Sequence, residues 1–214
     1  MQFLLQLQAE QDRAWFKAHQ ADFQRLCRRP LELFVYALRT RLLDVYPGLT
    51  EVEPHFFRIH RDTRFSRDKS PYKTNVSAHL PIRAEGEVVP SLYVSFGLDE
   101  EEIACGCWHL SPEVLSRYRA ALDHAALGPE AQATVDDLTA AGFRVISMEA
   151  LKRVPPPFRQ DHPRAELLKH KGLAVSICPP EGLAERPELL DWAEQRLRAA
   201  APLNQWLLRA LSAA

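Results

Sequence analysis

Between Asn75 and Leu110 apolar and polar residues alternate with a period of two, and no other feature constrains the fold so strongly. Val76, Ala78, Leu80 and Ile82 share one parity over Asn75–Arg83, and Leu92, Val94, Phe96 and Leu98 share one over Val89–Leu98. A further strand is expected over Glu102–Leu110. Successive side chains of a strand point to opposite faces, so such segments bury one face and can leave the other wet. Ala84-Glu85-Gly86-Glu87 suits a hairpin turn, and Leu98-Asp99-Glu100-Glu101 the next one. The expectation is an antiparallel meander at the centre of the fold. Glu53–His60 adds a strand with Phe57 and Ile59 on one face and Phe56, Arg58 and His60 on the other.

The flanks read as helical. Phe3, Leu4 and Leu7 mark a first short helix. Asp12 caps a second, with Trp15, Phe16, His19, Phe23 and Leu26 at helical spacing. Pro30 suits the first turn of a third, stopped by Pro47-Gly48. Ser111-Pro112-Glu113 is a strong helix start, with a capping hydroxyl, Pro at the first position and an acid in the first turn. That helix should run to about Leu127 and be broken by Gly128-Pro129, with another running to Ala141. Phe143–Ile146 and Gly172–Cys178 suit short strands, Asp161-His162-Pro163 opens a short helix, and Pro187 and Pro202 start terminal ones. These readings predict a single α+β domain over 1–214: a helical N-terminal layer, a central mostly antiparallel sheet, and C-terminal helices packed on it.

The stretch from His55 to Lys73 carries six cations (Arg58, Arg61, Arg64, Arg67, Lys69, Lys73) against Asp62 and Asp68, in a chain of formal net charge −1. Two like charges 4 Å apart repel by about 1 kcal/mol in water and by roughly 4 at an effective dielectric of 20. Such a cluster therefore calls for carboxylates from elsewhere in the chain or for an anionic ligand. The guanidinium fork suits a carboxylate or phosphate. The interleaved aromatics Phe56, Phe57, Phe65 and Tyr72 should pin the loop to a core.

The words RDTRFSRDKSPYK resemble the hallmark of an uncharacterised, mainly bacterial family, the domain of unknown function 2461 family. Arg13, Trp15, Phe16, His19 and Pro30 also resemble it. So do Leu151-Lys152-Arg153 with Pro155, Asp161-His162-Pro163, and Leu167-Leu168-Lys169. The resemblance spans nearly the whole chain and implies a single α+β domain with no established activity. The chain departs from the family pattern at Ala14, where members often carry Glu, and at Glu10-Gln11, in place of a common Asn pair. It departs again at Cys105-Gly106-Cys107, where a more Gly-rich run is usual.

Other chemistries find little support. His60-Arg61-Asp62 resembles the start of a kinase catalytic loop, but the glycine-rich loop, the Asp-Phe-Gly word and the spaced Asn are missing. No Walker, Rossmann or nucleophile-elbow pattern occurs. Cys105, Cys107 and His109 should face one way along a strand, yet no partner pair with metal spacing accompanies them. Neither a metal nor a cofactor is implied. The four cysteines are too scattered for a disulfide framework. No apolar run approaches a membrane span, and the first residues show no signal-peptide pattern, so a cytoplasmic location is the default expectation. Near-neutral charge argues against non-specific nucleic-acid binding. Nothing specifies an oligomeric state.

The leading functional expectation is a small anionic partner, a phosphate or carboxylate held by Arg58, Arg61, Arg64 and Lys69 or Lys73. Asp62 would order the guanidiniums, Tyr72 or Trp108 would line the site, and in an enzymatic version His162 would act as acid or base. The alternative is a structural or protein-interaction domain whose Arg–Asp words form an internal salt-bridge network. That alternative predicts that Arg64→Ala costs several kcal/mol, as for a broken buried pair. A third reading is specific recognition of nucleic acid by the basic loop and its aromatics.

Overall fold

The computed structural model describes residues 1–64, 67–83 and 90–211. The expected turn at 84–87, the start of the third predicted strand at Val89, and Phe65 of the loop lie outside the described residues. Six strands form one sheet: β1 (His55–Phe56), β2 (Asn75–Pro81), β3 (Ser91–Gly97), β4 (Glu102–Cys107), β5 (Arg144–Ile146) and β6 (Leu173–Ile177). Their order is β1-β2-β3-β4-β6-β5, and all neighbours run antiparallel. The fold is α+β, and the meander expected from the alternation is β2-β3-β4.

Register puts the parity into space. Leu80, Leu92, Cys105, Val175 and Val145 lie in one row across the sheet, and Ala78, Val94, Ile103 and Ile177 in the next. Both rows belong to the main core. That core is completed by helices α4 (Arg29–Arg41), α5 (Pro112–Asp123), α6 (Leu127–Ala140), α8 (Leu189–Ala199) and α9 (Ala201–Leu211), numbered in chain order with the shorter ones given below. α4, α8 and α9 reach the same face through Leu38, Leu197 and Trp206, each fully buried. At about 25 cal/mol per Å² of apolar surface, this shared face is the main source of stability. The intervening row, His79, Tyr93, Ala104, Ser176 and Arg144, looks the other way. None of its residues joins a core cluster. The sheet is thus packed on one face and open on the other.

The N-terminal helices are α1 (Gln2–Glu10), α2 (Arg13–Ala18) and α3 (Gln20–Phe23). Asp12 caps α2 by accepting from the Trp15 amide at 2.8 Å. Pro30 does not start a separate helix. The chain stays helical from α3 through a π-turn at Gln24–Arg28 into α4. Proline has no N–H to donate and crowds the carbonyl four residues back, and a wider turn just before it accommodates both. Phe3, Leu7, Phe16, Phe23, Ile59 and Tyr72 form a second, smaller core. This core ties the N-terminus to the cationic loop.

Other boundaries moved as well. Ser111 caps α5 through the Val114 amide, but that helix ends at Asp123, and Gly128 and Pro129 lie within the first turn of α6. β4 stops at Cys107, so Cys105 and Cys107 point into the core while His109 is exposed. The three residues therefore do not face one way, and no group of metal-ligating side chains occurs among the described residues. No helix among them is long and apolar enough to cross a membrane.

Candidate functional site

The cationic loop grows out of the edge of the sheet. The Phe57 amide donates to the Ser77 carbonyl at 3.0 Å, continuing β1. The amides of Arg61 and Lys73 then donate to the carbonyls of Pro71 and Ile59 at 2.9 and 2.8 Å, around a bridge between His60 and Tyr72. The base of the loop is therefore a short antiparallel ladder. Tyr72 anchors it, buried and stacked on Phe16 with 4.4 Å between ring centroids. The Asp68 carboxylate accepts from the Ser70 amide and hydroxyl at 2.9 and 2.6 Å, which bends the returning arm.

Much of the charge is neutralised inside the loop. Arg61 pairs with Asp68. Arg64 makes a two-point bond to Asp62, Nε to Oδ1 at 3.0 Å and Nη2 to Oδ2 at 2.7 Å. Both carboxyls are held below the usual range, Asp62 chiefly by the Arg64 guanidinium and Asp68 chiefly by the Ser70 hydroxyl and amide. The Lys69 ammonium donates to the Thr63 carbonyl at 2.9 Å. Arg13, Arg58 and Lys73 form no ion pair with a described residue. Lys73 lies 5.5 Å from the centre of the Phe57 ring, and burial, with Arg58 and Arg61 nearby, lowers its pKa.

Arg13, Arg61, Asp62, Lys69 and Lys73 divide between two clefts that share Arg61. One, of about 330 Å³, is lined by Arg13, His60, Arg61, Thr63, Lys69, Pro71 and Tyr72. It lies between the start of α2 and the loop, and among the described residues no carboxylate lines it. The other, of about 460 Å³, is lined by Arg61, Asp62, Lys73, Thr74, Asn75 and Asp99, two cations against two acids.

A family model described as a conserved hypothetical protein, DUF2461, matches residues 1–206. The chain belongs to the DUF2461 family. No curated protein and no solved structure matches it.

In this DUF2461 chain the candidate residues do not form one constellation. Arg61, Lys69 and Tyr72 meet in the first cleft, and Arg61, Asp62 and Lys73 in the second. Arg58 contributes its field to Lys73 and Asp62. Arg64 is held by Asp62 at the surface. Trp108 is about half exposed and lines a third cavity, on the open face of the sheet. His162 lies elsewhere, by the ends of α5 and the short helix α7 (Ala165–Lys169). Its Nδ1 accepts from the Arg164 amide at 3.0 Å, so its Nε2 carries the proton and donates to Asp123 at 3.2 Å. Both nitrogens are engaged. Asp161 neither caps α7 nor touches His162; it is bound at two points by Arg159.

Three contributors to these cavities carry no loud signal in sequence. Arg13 reaches the first cleft from forty-odd residues upstream. Thr63 and His60 enter it because the ladder fixes their direction. Ser147 and His170 look like a nucleophile and its base, but the Ser147 hydroxyl donates to the Glu149 carbonyl at 2.9 Å. It therefore accepts from His170 Nδ1 at 2.8 Å and has no proton to give the ring.

Proposed function

We propose that this protein binds a small phosphate- or carboxylate-bearing ligand in the cleft between α2 and the 58–73 loop. The observation that carries this reading is the convergence of Arg13, Arg61 and Lys69, with His60 and Thr63, on a cleft that no carboxylate among the described residues lines. Arg61 gives one arm to Asp68 and keeps donors on the other. Lys69 gives one proton to a carbonyl and keeps two. Charge-assisted bonds from such groups are short and strong, and several converging on one anion fix its position. The cleft volume falls in the range of small-molecule sites. Within this reading Asp68 orders Arg61, and Asp62 orders Arg64. His162 has no part in it, since both its nitrogens are occupied elsewhere.

The test is thermal unfolding against inorganic phosphate, nucleotides, sugar phosphates, polyphosphate and dicarboxylates. A ligand at a hundredfold its dissociation constant stabilises by about 2.7 kcal/mol, or roughly 5–10 °C for a chain of this size. The expected result is a shift confined to one chemical class and lost in Arg13→Ala and Lys69→Ala. A flat panel, or a shift that survives both substitutions, rejects the cleft.

The Arg64–Asp62 and Arg61–Asp68 pairs support a second reading, in which the loop's charges serve only to close it on itself. It predicts no shift with any anion.

A further inference from the structure

The open face of the sheet is not flat. A groove of about 420 Å³ crosses it, lined by Phe57, His79, Tyr93, Trp108 and Ile146 as walls and by Ala104, Gly106 and Ala174 as floor. The floor is low for a structural reason. Ser91, Gly106 and Ala174 sit side by side across β3, β4 and β6, and Ala104 lies opposite Tyr93. Gly106 has φ +122°, and a Cβ there would stand 2.4 Å from the Leu173 carbonyl oxygen, so no other residue fits that floor without strain. Small residues between aromatic ones leave a recess floored by backbone and methyl groups and walled by rings. Phe57 and Tyr93 stand edge to face, 6.2 Å apart, and Phe57 also contacts His79 at 5.7 Å. Trp108, at the far end, is exposed.

The polar groups of the groove narrow the occupant. Among the described residues, Glu102 is its only acidic or basic side chain apart from His79. It forms no ion pair with a described residue. Burial, and then the nearby Glu100, raises its pKa, with the Ser176 hydroxyl and Arg144 partly offsetting them. Burial and His55 keep His79 neutral, and its Nδ1 is buried with no hydrogen-bond partner. The half-buried Glu102 carboxyl has the Ser176 hydroxyl as a hydrogen-bond partner, but it has more acceptor sites than one hydroxyl fills. A purely apolar ring would leave the remaining acceptor sites of Glu102 unsatisfied, a cost that selects for a ligand with N–H donors. An anion would be repelled by it. A volume of about 420 Å³ is in the range of small-molecule sites.

We infer that the groove binds a flat nitrogen heterocycle with N–H donors, of the nucleobase class, stacked among Phe57, Tyr93 and Trp108 and hydrogen-bonded to Glu102. This site is separate from the cationic cleft and does not rest on it.

The experiment titrates the full chain with adenosine, with 1-methoxynaphthalene as an uncharged ring of similar size without N–H donors, and with oligoadenylates of increasing length. Tryptophan fluorescence and calorimetry are the readouts. The expected result is a saturable fluorescence change with adenosine that disappears in Trp108→Phe, which separates Trp108 from the other three tryptophans. Trp108→Ala and Glu102→Leu should each weaken adenosine by about tenfold, in keeping with the usual worth of stacking on one aromatic side chain. Trp108 is at an exposed position, so its variant keeps the test decisive if Glu102→Leu fails to fold. Four results overturn the inference: no saturable binding of adenosine; unchanged affinity in a folded variant; methoxynaphthalene binding as tightly, the mark of an apolar sink; and affinity that climbs with oligomer length, the mark of a polynucleotide platform.

Discussion

The side-chain amide of Gln11 is bonded at both ends to the backbone of Tyr72, sixty-one residues away. Tyr72 N–H donates to Gln11 Oε1 at 3.1 Å, and Gln11 Nε2 donates to the Tyr72 carbonyl at 3.3 Å. Gln11 sits just past the end of α1 in the left-handed region, at φ +37°, with its amide still bonded to the Leu7 carbonyl. One residue thus turns the chain between α1 and α2 and completes the ladder at the base of the loop. It also sets the start of α2, and hence Arg13, beside Arg61.

Gln11→Ala should destabilise the protein by about 1–3 kcal/mol, since it leaves the buried Tyr72 backbone without its partner. Gln11→Gly relieves the positive φ and should recover part of the loss, but not the clamp. Urea unfolding of the two variants measures both quantities. The same variants should bind anions more weakly in the thermal panel if Arg13 and Arg61 share a ligand. Wild-type stability in Gln11→Ala would show that the contact adds nothing.

The meander was legible in sequence because a period of two has only one way to bury Leu80, Leu92 and Cys105 together. The pairing of β4 with β6 was not, because nothing local to Leu173–Ile177 names its partner. The cationic loop stood out through its charge, but charge does not say which residues pair. Asp62 and Asp68 both lie among arginines in sequence, and only the ladder between Arg61 and Lys73 decides that Arg61 takes Asp68. The open-face groove was hidden for another reason. His79, Tyr93 and Glu102 are the outward parity of strands read for their inward one. Trp108 was singled out, but its neighbours come from strands on either side of it.

The exposed setting of Arg64 reverses an expectation. Its side chain is 77% exposed and its partner Asp62 45%. Exposed pairs contribute little and are screened by salt. Arg64→Ala should therefore shift the urea midpoint less than Gln11→Ala does, and the remaining difference should shrink as salt is added. A loss as large as that of a core substitution, undiminished by salt, would restore the buried-network account.

Cysteine chemistry follows from the end of β4. Burial pushes the Cys105 and Cys107 thiols up to about 12 and the Cys27 thiol up to about 11, while Cys178 is exposed. The thiolate is the nucleophile, so buried thiols are inert at ordinary pH. Brief alkylation of the native protein near neutral pH should label Cys178 alone, with the other three modified only after denaturation. Peptide mass mapping reads the result. Early labelling of Cys105 or Cys107 would mean that β4 does not turn them into the core.

Glu102 gives a pH signature whose sign is fixed by its surroundings. Burial disfavours its carboxylate, so its pKa is raised in the fold above the unfolded value of about 4.3. The native state then holds its proton where the unfolded state has lost it, and stability falls as pH rises from the unfolded pKa to the native one. Above the native pKa the full penalty persists. Glu102→Gln keeps the shape without the charge, so it should be more stable than wild type at neutral pH. The gap should close as the pH falls below the unfolded pKa, where both side chains are neutral. Urea unfolding of the pair across that range measures the gap directly. If adenosine occupies the groove, it should narrow the gap at neutral pH, because its N–H bond is charge-assisted at the wild-type carboxylate and weaker at the neutral Gln amide. A variant less stable than wild type at neutral pH would mean that the Ser176 hydroxyl and Arg144 outweigh burial and Glu100 at this carboxylate.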